Sequence, residues 1–247
     1  MSLFSSVELA PRDPILGLNE QFAADTNPNK VNLGVGVYFD ENGKLPLLDC
    51  VQAAERALME TPKPRGYLPI DGIAAYDDGV KKLVFGADSE PYQSGRIATV
   101  QGLGGTGALK IGADFLKHLN PAAKVLISDP SWENHRALFT QAGFAVGTYR
   151  YYDSATRALN FEGMLADLQA AAPGTIVVLH ACCHNPTGYD ITPAQWDQVI
   201  AVVKARGLTP FLDMAYQGFG NGIAEDGAVI QKFVAAGLAF FVSTSFS

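Results

Sequence analysis

From Ile97 onward, short apolar runs alternate with helical stretches, and this alternation restricts the possible folds more than any other feature of the sequence. Predicted strands cover Ile97–Gln101, Lys124–Ser128, Ala145–Tyr149, Thr175–His180, Thr209–Leu212 and Ala239–Ser243. Predicted helices fall between them, at Gly105–Leu119, Asn134–Ala142, Phe161–Ala171, Pro193–Ala205 and Ala228–Ala236. Thr192 and Pro193 open one of these helices with a capping hydroxyl and a first-position proline. Apolar strands that each lead into a helix describe an α/β protein, with a mostly parallel sheet covered by helices on both faces. Ligands in such sheets sit outside the carboxyl ends of the strands.

The first 45 residues break this pattern. Pro11, Pro14, Pro28 and the Gly34-Val35-Gly36 stretch make residues 1–45 irregular, an N-terminal arm and part of a smaller domain. Residues 46–247 form the large domain. It begins with helices at Asp49–Glu60, stopped by Thr61-Pro62-Lys63-Pro64, and at Ile73–Val84.

Hydrophobic residues make up 48% of the chain and charged ones 17%, enough apolar material for a sizeable core. The net charge is −7 with no Lys/Arg-rich run, which argues against a nucleic-acid partner. No apolar run approaches the roughly 18 residues of a membrane span. Met1–Pro14 lacks the basic and apolar regions of a secretory signal, and acidic Glu8 and Asp13 argue against a transit peptide. The three cysteines, Cys50, Cys182 and Cys183, make no disulfide framework. Neighbours in a strand point to opposite faces, so a Cys182–Cys183 bridge is expected to be strained. A reducing, cytoplasmic setting is the expectation.

Five motifs fall at strand ends. Gly102-Leu103-Gly104-Gly105-Thr106-Gly107 follows the first strand and opens a helix, whose free N–H groups and positive dipole end can cradle a phosphate. A tight turn without ligand would use the same glycines. The segment is also a G-x-G-x-x-G, and Asp129 ends the next strand, so a nicotinamide-dependent oxidoreductase built on Gly102, Gly104 and Gly107 is the rival reading. Asp213, with Tyr216 three residues on, leaves the Thr209 strand as a carboxylate poised to pair with a cation; a helix N-cap is the alternative. In Ala181-Cys-Cys-His-Asn-Pro-Thr-Gly188, Asn185 is held at the end of the Thr175 strand. Metal binding there is not expected, because consecutive ligands cannot easily share one tetrahedral site. In Asp129-Pro-Ser-Trp-Glu-Asn-His135, Trp132 can stack on a flat cofactor or simply pack, and His135 can be a site residue or a core histidine. The last stretch, Val242-Ser-Thr-Ser-Phe-Ser247, sets hydroxyls at alternate positions beyond a strand.

In combination these motifs resemble the aspartate and aromatic-amino-acid aminotransferases, class I, fold type I. The resemblance runs from Asp13-Pro-Ile-Leu-Gly-Leu18 to Ser247. It is carried most specifically by the Cys-Cys-His-Asn-Pro-Thr-Gly block, by Asp213-x-x-Tyr216-Gln-Gly-Phe and by the Ser-Phe-Ser ending. Arg65-Gly-Tyr-Leu-Pro-Ile-Asp-Gly72 and Asp129-Pro-Ser-Trp-Glu-Asn-His-Arg-Ala-Leu-Phe139 look closest to the bacterial aromatic-amino-acid branch.

The resemblance implies pyridoxal 5'-phosphate as cofactor, and amino-group transfer from an aromatic, and also a dicarboxylic, L-amino acid to 2-oxoglutarate through a Schiff base. It gives Gly104, Gly105, Thr106 and Ser245 the cofactor phosphate. Asp213 takes the pyridinium nitrogen, oriented by His135, while Asn185 and Tyr216 take the ring oxygen and Trp132 the ring face. Gly36, Trp132 and Asn185 serve the substrate. Tyr67 reaches the phosphate of a neighbouring subunit, which implies a homodimer with shared sites. The family's Schiff-base lysine is expected directly after Ser247, and the substrate-carboxylate arginines and the rest of the small domain beyond it. Lys110 lies in a helix and does not replace that lysine. Taken literally, residues 1–247 would be an inactive binding module, the third reading beside the transferase and the oxidoreductase.

Overall fold

The computed structural model describes residues 4–9, 16–32, 34 and 36–246. Pro11, Asp13, Pro14, Val35 and Ser247, singled out above, lie outside them. The described residues divide into two compact units between Gly66 and Tyr67. That boundary falls later than the expected one at residue 45. The helix at Asp49–Glu60 buries none of its side chains and groups with the first unit.

In the first unit, α1 spans Leu16–Ala24 and α2 spans Asp49–Glu60. The first was not expected, since proline and glycine dominate the reading of residues 1–45. Here Asn32 Nδ2 donates to Asn19 Oδ1 at 2.9 Å, and loop carboxylates and amides cap their own turns, as Asp40 does for Asn42 and Lys44.

The second unit begins with α3 (Ala74–Phe85) and the short α4 (Glu90–Gln93). There follow α5 (Gly104–Leu119), β1 (Lys124–Asp129), α6 (Glu133–Gln141) and β2 (Ala145–Arg150). A small antiparallel pair, β3 (Tyr152–Asp153) and β4 (Ala158–Leu159), leads into α7 (Phe161–Ala170) and β5 (Ile176–His180). The last elements are α8 (Pro193–Arg206), β6 (Thr209–Met214), α9 (Ile223–Ala235) and β7 (Phe241–Thr244). Five strands pair in the order β2-β1-β5-β6-β7, all parallel.

Alternate residues of β5 feed two separate cores. Ile176 and Val178 pack with Leu109, Ala113 and Leu116 of α5, Phe139 of α6 and Phe211 of β6. Val177 and Leu179 pack on the other face with Met164 and Leu168 of α7, Val199 and Val203 of α8, and Ile230 and Phe233 of α9. A period of two in a strand covered on both sides produces this division. α8 starts as the sequence predicts: Thr192 Oγ1 accepts from Gln195 N at 3.2 Å, and Gln195 Oε1 accepts from Thr192 N at 2.8 Å. This reciprocal pair satisfies two otherwise unpaired donors.

One expected strand is not in the sheet. Ile97–Gln101 has no ladder partner; the Gln101 N–H donates to Asp71 O at 2.8 Å instead. A cavity of about 690 Å³ is lined by this segment and by β7, the edge of the sheet, with Phe115 and Phe246 also on its wall. A β-branched run becomes a strand only where another backbone meets it.

Gly112 of α5 faces the sheet, where a Cβ would come within 2.6 Å of the Phe211 ring; the same position on Gly79 of α3 has nothing within 4 Å. Gly112→Ala is expected to lower stability by about 1–3 kcal/mol through overpacking. Gly79→Ala is expected to raise it by up to about 1 kcal/mol through helix propensity. Urea midpoints at equal slope measure both; a Gly112→Ala midpoint at or above the parent's would mean that the layer at Phe211 yields freely.

Candidate active site

Because every strand of the main sheet runs the same way, their carboxyl ends share one edge. There β1 gives way to Ser131 and Trp132, β5 ends at His180 and continues to Cys182 and Asn185, β6 carries Asp213 and leads to Tyr216, and β7 runs on to Ser245. The β5–β6 register sets His180 opposite Asp213, and the β6–β7 register sets Asp213 opposite Ser243. A cavity opens on this edge, lined by Gly105, Thr106, Leu109, Trp132, His180, Cys182, Asn185, Asp213, Ala215, Tyr216 and Ser245.

Asp213 is 7% exposed, and its Oδ2 lies 2.7 Å from Nε2 of His135, which is fully buried. An ionised carboxylate only accepts, so Nε2 of His135 carries the proton of that bond. His135 Nδ1 lies 2.9 Å from Ser131 Oγ, and its ring stands edge-on to Trp132 at 5.4 Å between centroids. The carboxylate is therefore fixed from behind and presents its other oxygen to the cavity. The N-cap alternative for Asp213 is corrected: it lies inside β6, and α9 does not start until Ile223.

The opposite wall is the start of α5. No side chain caps this helix at Leu103, so its first backbone N–H groups remain available to an anion. A Cβ on Gly105 would meet Ser245 Cβ at 3.4 Å, so the helix start and the end of β7 lie side by side here. Gly104, at φ 61°, shapes the turn but faces the larger cavity beside β7.

Of the residues singled out in the sequence, seven thus share one cavity wall: Gly105, Thr106, Trp132, Asn185, Asp213, Tyr216 and Ser245. His135 stands behind Asp213. Tyr67 is fully exposed and lines neither cavity; Gly36 belongs to the first unit, with nothing within 4 Å of a Cβ built there. His180 was not singled out, although its place at the end of a predicted strand already sets it on this edge. Two groups have metal-ligand proximity, with ligand atoms within 4.8 Å of one another: His135, His180 and Asp213, and Cys182, Cys183 and Asp226. The strand-based expectation for the two cysteines is also corrected. They follow β5 rather than lie in it, and Cys183 has φ 50°, so their side chains do not alternate across a sheet.

The rival dinucleotide reading loses its structural context. That fingerprint needs the glycines to follow a strand of the sheet, whereas Ile97–Gln101 is unpaired.

Three histidines cluster at this edge, and His180 among them lines the cavity. The His180 ring lies 5.0 Å from that of His135 and 4.2 Å from that of His184. Both His180 ring nitrogens are buried without a hydrogen-bond partner. Burial, then the neighbouring His184 and His135, hold its pKa well below the ordinary value. His184 stacks on Tyr151 at 3.9 Å, with Nε2 2.9 Å from Ser128 Oγ and Nδ1 2.8 Å from Thr187 Oγ1. Burial, with His135 nearby, lowers its pKa to about 4. A histidine held neutral in the fold takes up its proton first in the unfolded chain. Its contribution is complete above the unfolded value near pH 6.5 and is lost as pH falls toward about 4. The loss from His184 approaches about 3 kcal/mol. His184→Gln, which keeps polar partners but does not titrate, is expected to flatten the fall in unfolding free energy between pH 6.5 and 4.5. An unchanged slope in urea titrations at these pH values would refute the role given to His184.

The sequence profile of the family described as aminotransferase class I and II matches residues 28–247. The chain is 65% identical over 247 residues to an aspartate aminotransferase of Pseudomonas aeruginosa, covering 100% of this chain and 62% of that protein. It is 49% identical over 246 residues to an aromatic-amino-acid aminotransferase of Escherichia coli, covering 99% and 62%. The crystal structure of the aromatic-amino-acid aminotransferase from Burkholderia pseudomallei, covalently bound to pyridoxal phosphate, superposes with a TM-score of 0.97 at 68% identity, over 100% of this chain and 62% of that one. The chain thus spans about 62% of the length of these relatives. With sequence, sheet and strand-end cavity in agreement, the chain belongs to the aminotransferase class I and II family.

Proposed function

We propose that the protein is a pyridoxal-phosphate-dependent aminotransferase. It moves an amino group from an aromatic, and also a dicarboxylic, L-amino acid to 2-oxoglutarate. The observation that carries this reading is one cavity walled by an uncapped helix start and Ser245 on one side and by a buried, histidine-backed carboxylate on the other. That spacing of an anion cradle and a fixed negative charge suits a group with a phosphate at one end and a ring nitrogen at the other.

Bound there, pyridoxal phosphate supplies a protonated ring that accepts the charge left when a substrate Cα loses its proton. The chain's own residues make this favourable. Asp213 holds a proton on the ring nitrogen by giving it a counter-charge in a dry site. His135 keeps Asp213 aimed and itself cannot move, being locked between Ser131 and the carboxylate. Asn185 and Tyr216 would hold the ring oxygen and Trp132 the ring face, and Gly104, Gly105, Thr106 and Ser245 would hold the phosphate. Asn185 would receive the substrate carboxylate. Tyr67, exposed in a single copy, reaches the phosphate of a second subunit, so the working form is a homodimer. No helix among the described residues is long and apolar enough to cross a membrane.

In the protein carried to its relatives' length and loaded with cofactor, Asp213→Asn keeps the bond to His135 and removes the charge. The expected result is a loss of at least about 100-fold in kcat, roughly 2.7 kcal/mol in barrier, with little change in melting temperature. Turnover within about tenfold of the parent would remove Asp213 from the reaction. Comparing kcat/KM for phenylalanine, tyrosine and aspartate tests the substrate class. Negligible turnover of both aromatic substrates would reduce the proposal to a dicarboxylic aminotransferase.

A further inference from the structure

Cys182 and Cys183 follow β5 directly, and their sulfur atoms lie within 4.8 Å of each other. The positive φ of Cys183 turns the chain there, and Asp190 clamps the turn by accepting from the backbone N–H of Cys183 at 2.6 Å and of His184 at 2.8 Å. Cys182 is part of the cavity wall with Asn185, Asp213 and Tyr216. Cys183 is half-buried, and its thiol donates to Tyr216 O at 3.7 Å. Both thiols are free, and the third cysteine, Cys50, is exposed in the other unit.

A divalent metal ion is a poor match for this pair. Asp226, the carboxylate grouped with both thiols, already accepts from the N–H groups of Gly218, Gly220 and Asn221 at 2.8–2.9 Å. Burial, followed by the charges of Asp190 and Asp226, raises both thiols above their ordinary range, so the thiolates a metal needs are disfavoured. Two neutral thiols side by side suit a different ligand, one that brings its own leaving groups and bridges sulfurs not in bonding contact.

We propose that Cys182 and Cys183 form a dithiol site for trivalent arsenicals of the type R–As(OH)₂, set in the wall of the strand-end cavity. In the condensation two As–O bonds break and two As–S bonds form. Each thiol proton leaves with a hydroxide, giving two waters, and neither arsenic nor sulfur changes oxidation state. Bridging draws the Cys183 thiol off the Tyr216 carbonyl and sets the adduct against Asn185 and Tyr216. Capture therefore competes with whatever fills the cavity, which rests on the reading of that cavity as the pyridoxal-phosphate site.

The test uses phenylarsine oxide on the chain without added cofactor, followed by intact and peptide mass spectrometry. One adduct is expected, on the Cys182–Cys183 peptide, removed by dimercaptopropanol and unaffected by Cys50→Ser. Cys182→Ser and Cys183→Ser, each checked by its thermal transition, are expected to weaken capture by at least about 100-fold, as loss of a second attachment does. In the unmutated chain, arsenical pretreatment is expected to block iodoacetamide labelling of Cys183, the more exposed of the two thiols, until dimercaptopropanol is added, a readout that needs no variant. An adduct surviving both serine variants, an adduct at Cys50, or no block of labelling overturns the proposal. Pyridoxal phosphate is expected to slow capture by at least about tenfold. Unslowed capture at the Cys182–Cys183 peptide would leave the dithiol site standing and count against the cavity as the cofactor site.

Discussion

Parallel pairing of β1, β5, β6 and β7 is the constraint on which the rest of the second unit depends. An antiparallel neighbour would send a strand's carboxyl end to the far side of the sheet. With every strand in the same sense, the residues that follow each of them emerge together, and segments from Ser131 to Ser245 converge without any contact in sequence. The register then does the fine placement: His180 beside Asp213 beside Ser243, one residue from each of three neighbouring strands. Both faces of the sheet are buried under helices, so these strand ends are the open polar edge of an otherwise apolar slab.

Burial decides the chemistry available at that edge. A carboxylate at the end of a fully buried strand is tolerated because His135 satisfies one of its oxygens. The histidine is tolerated in turn because Ser131 occupies its other nitrogen. Behind them His180 and His184 stay neutral, so neither adds a positive charge beside Asp213. The negative charge is held in place and left uncompensated on the side that faces the cavity.

Much of this was legible in the sequence, and the exceptions share a cause. Alternating apolar runs and helix starts identify α5 through β7 within a few residues, because burial on both faces writes itself into local composition. Asp213, Asn185 and Tyr216 are legible because each lies at or just beyond the end of an apolar run. Ile97–Gln101 has the same local character but lacks a neighbouring backbone, and pairing is not a local property. α1 was hidden by the prolines and glycines around it, and the β3–β4 ladder is two residues long, below any periodicity. His180 looks like the last residue of an apolar strand; only the register, which sets it opposite Asp213, makes it part of the cavity wall. The reach between the Cys182 and Cys183 thiols depends on one positive φ, which no pattern of residue types at that point announces.

Asp226, in the first turn of α9, gathers the N–H groups of Gly218, Gly220 and Asn221, so the loop after Tyr216 is fastened to the helix that follows it. α9 in turn is seated in the core by Val229, Ile230 and Phe233. The loop has no independent position of its own: it is carried by the helix as a handle is carried by its shaft. The packing beneath Ile230 therefore helps to hold the loop after Tyr216. The tolerance of the site to sequence drift is accordingly set as much by the aliphatic packing of α9 as by the residues that line the cavity.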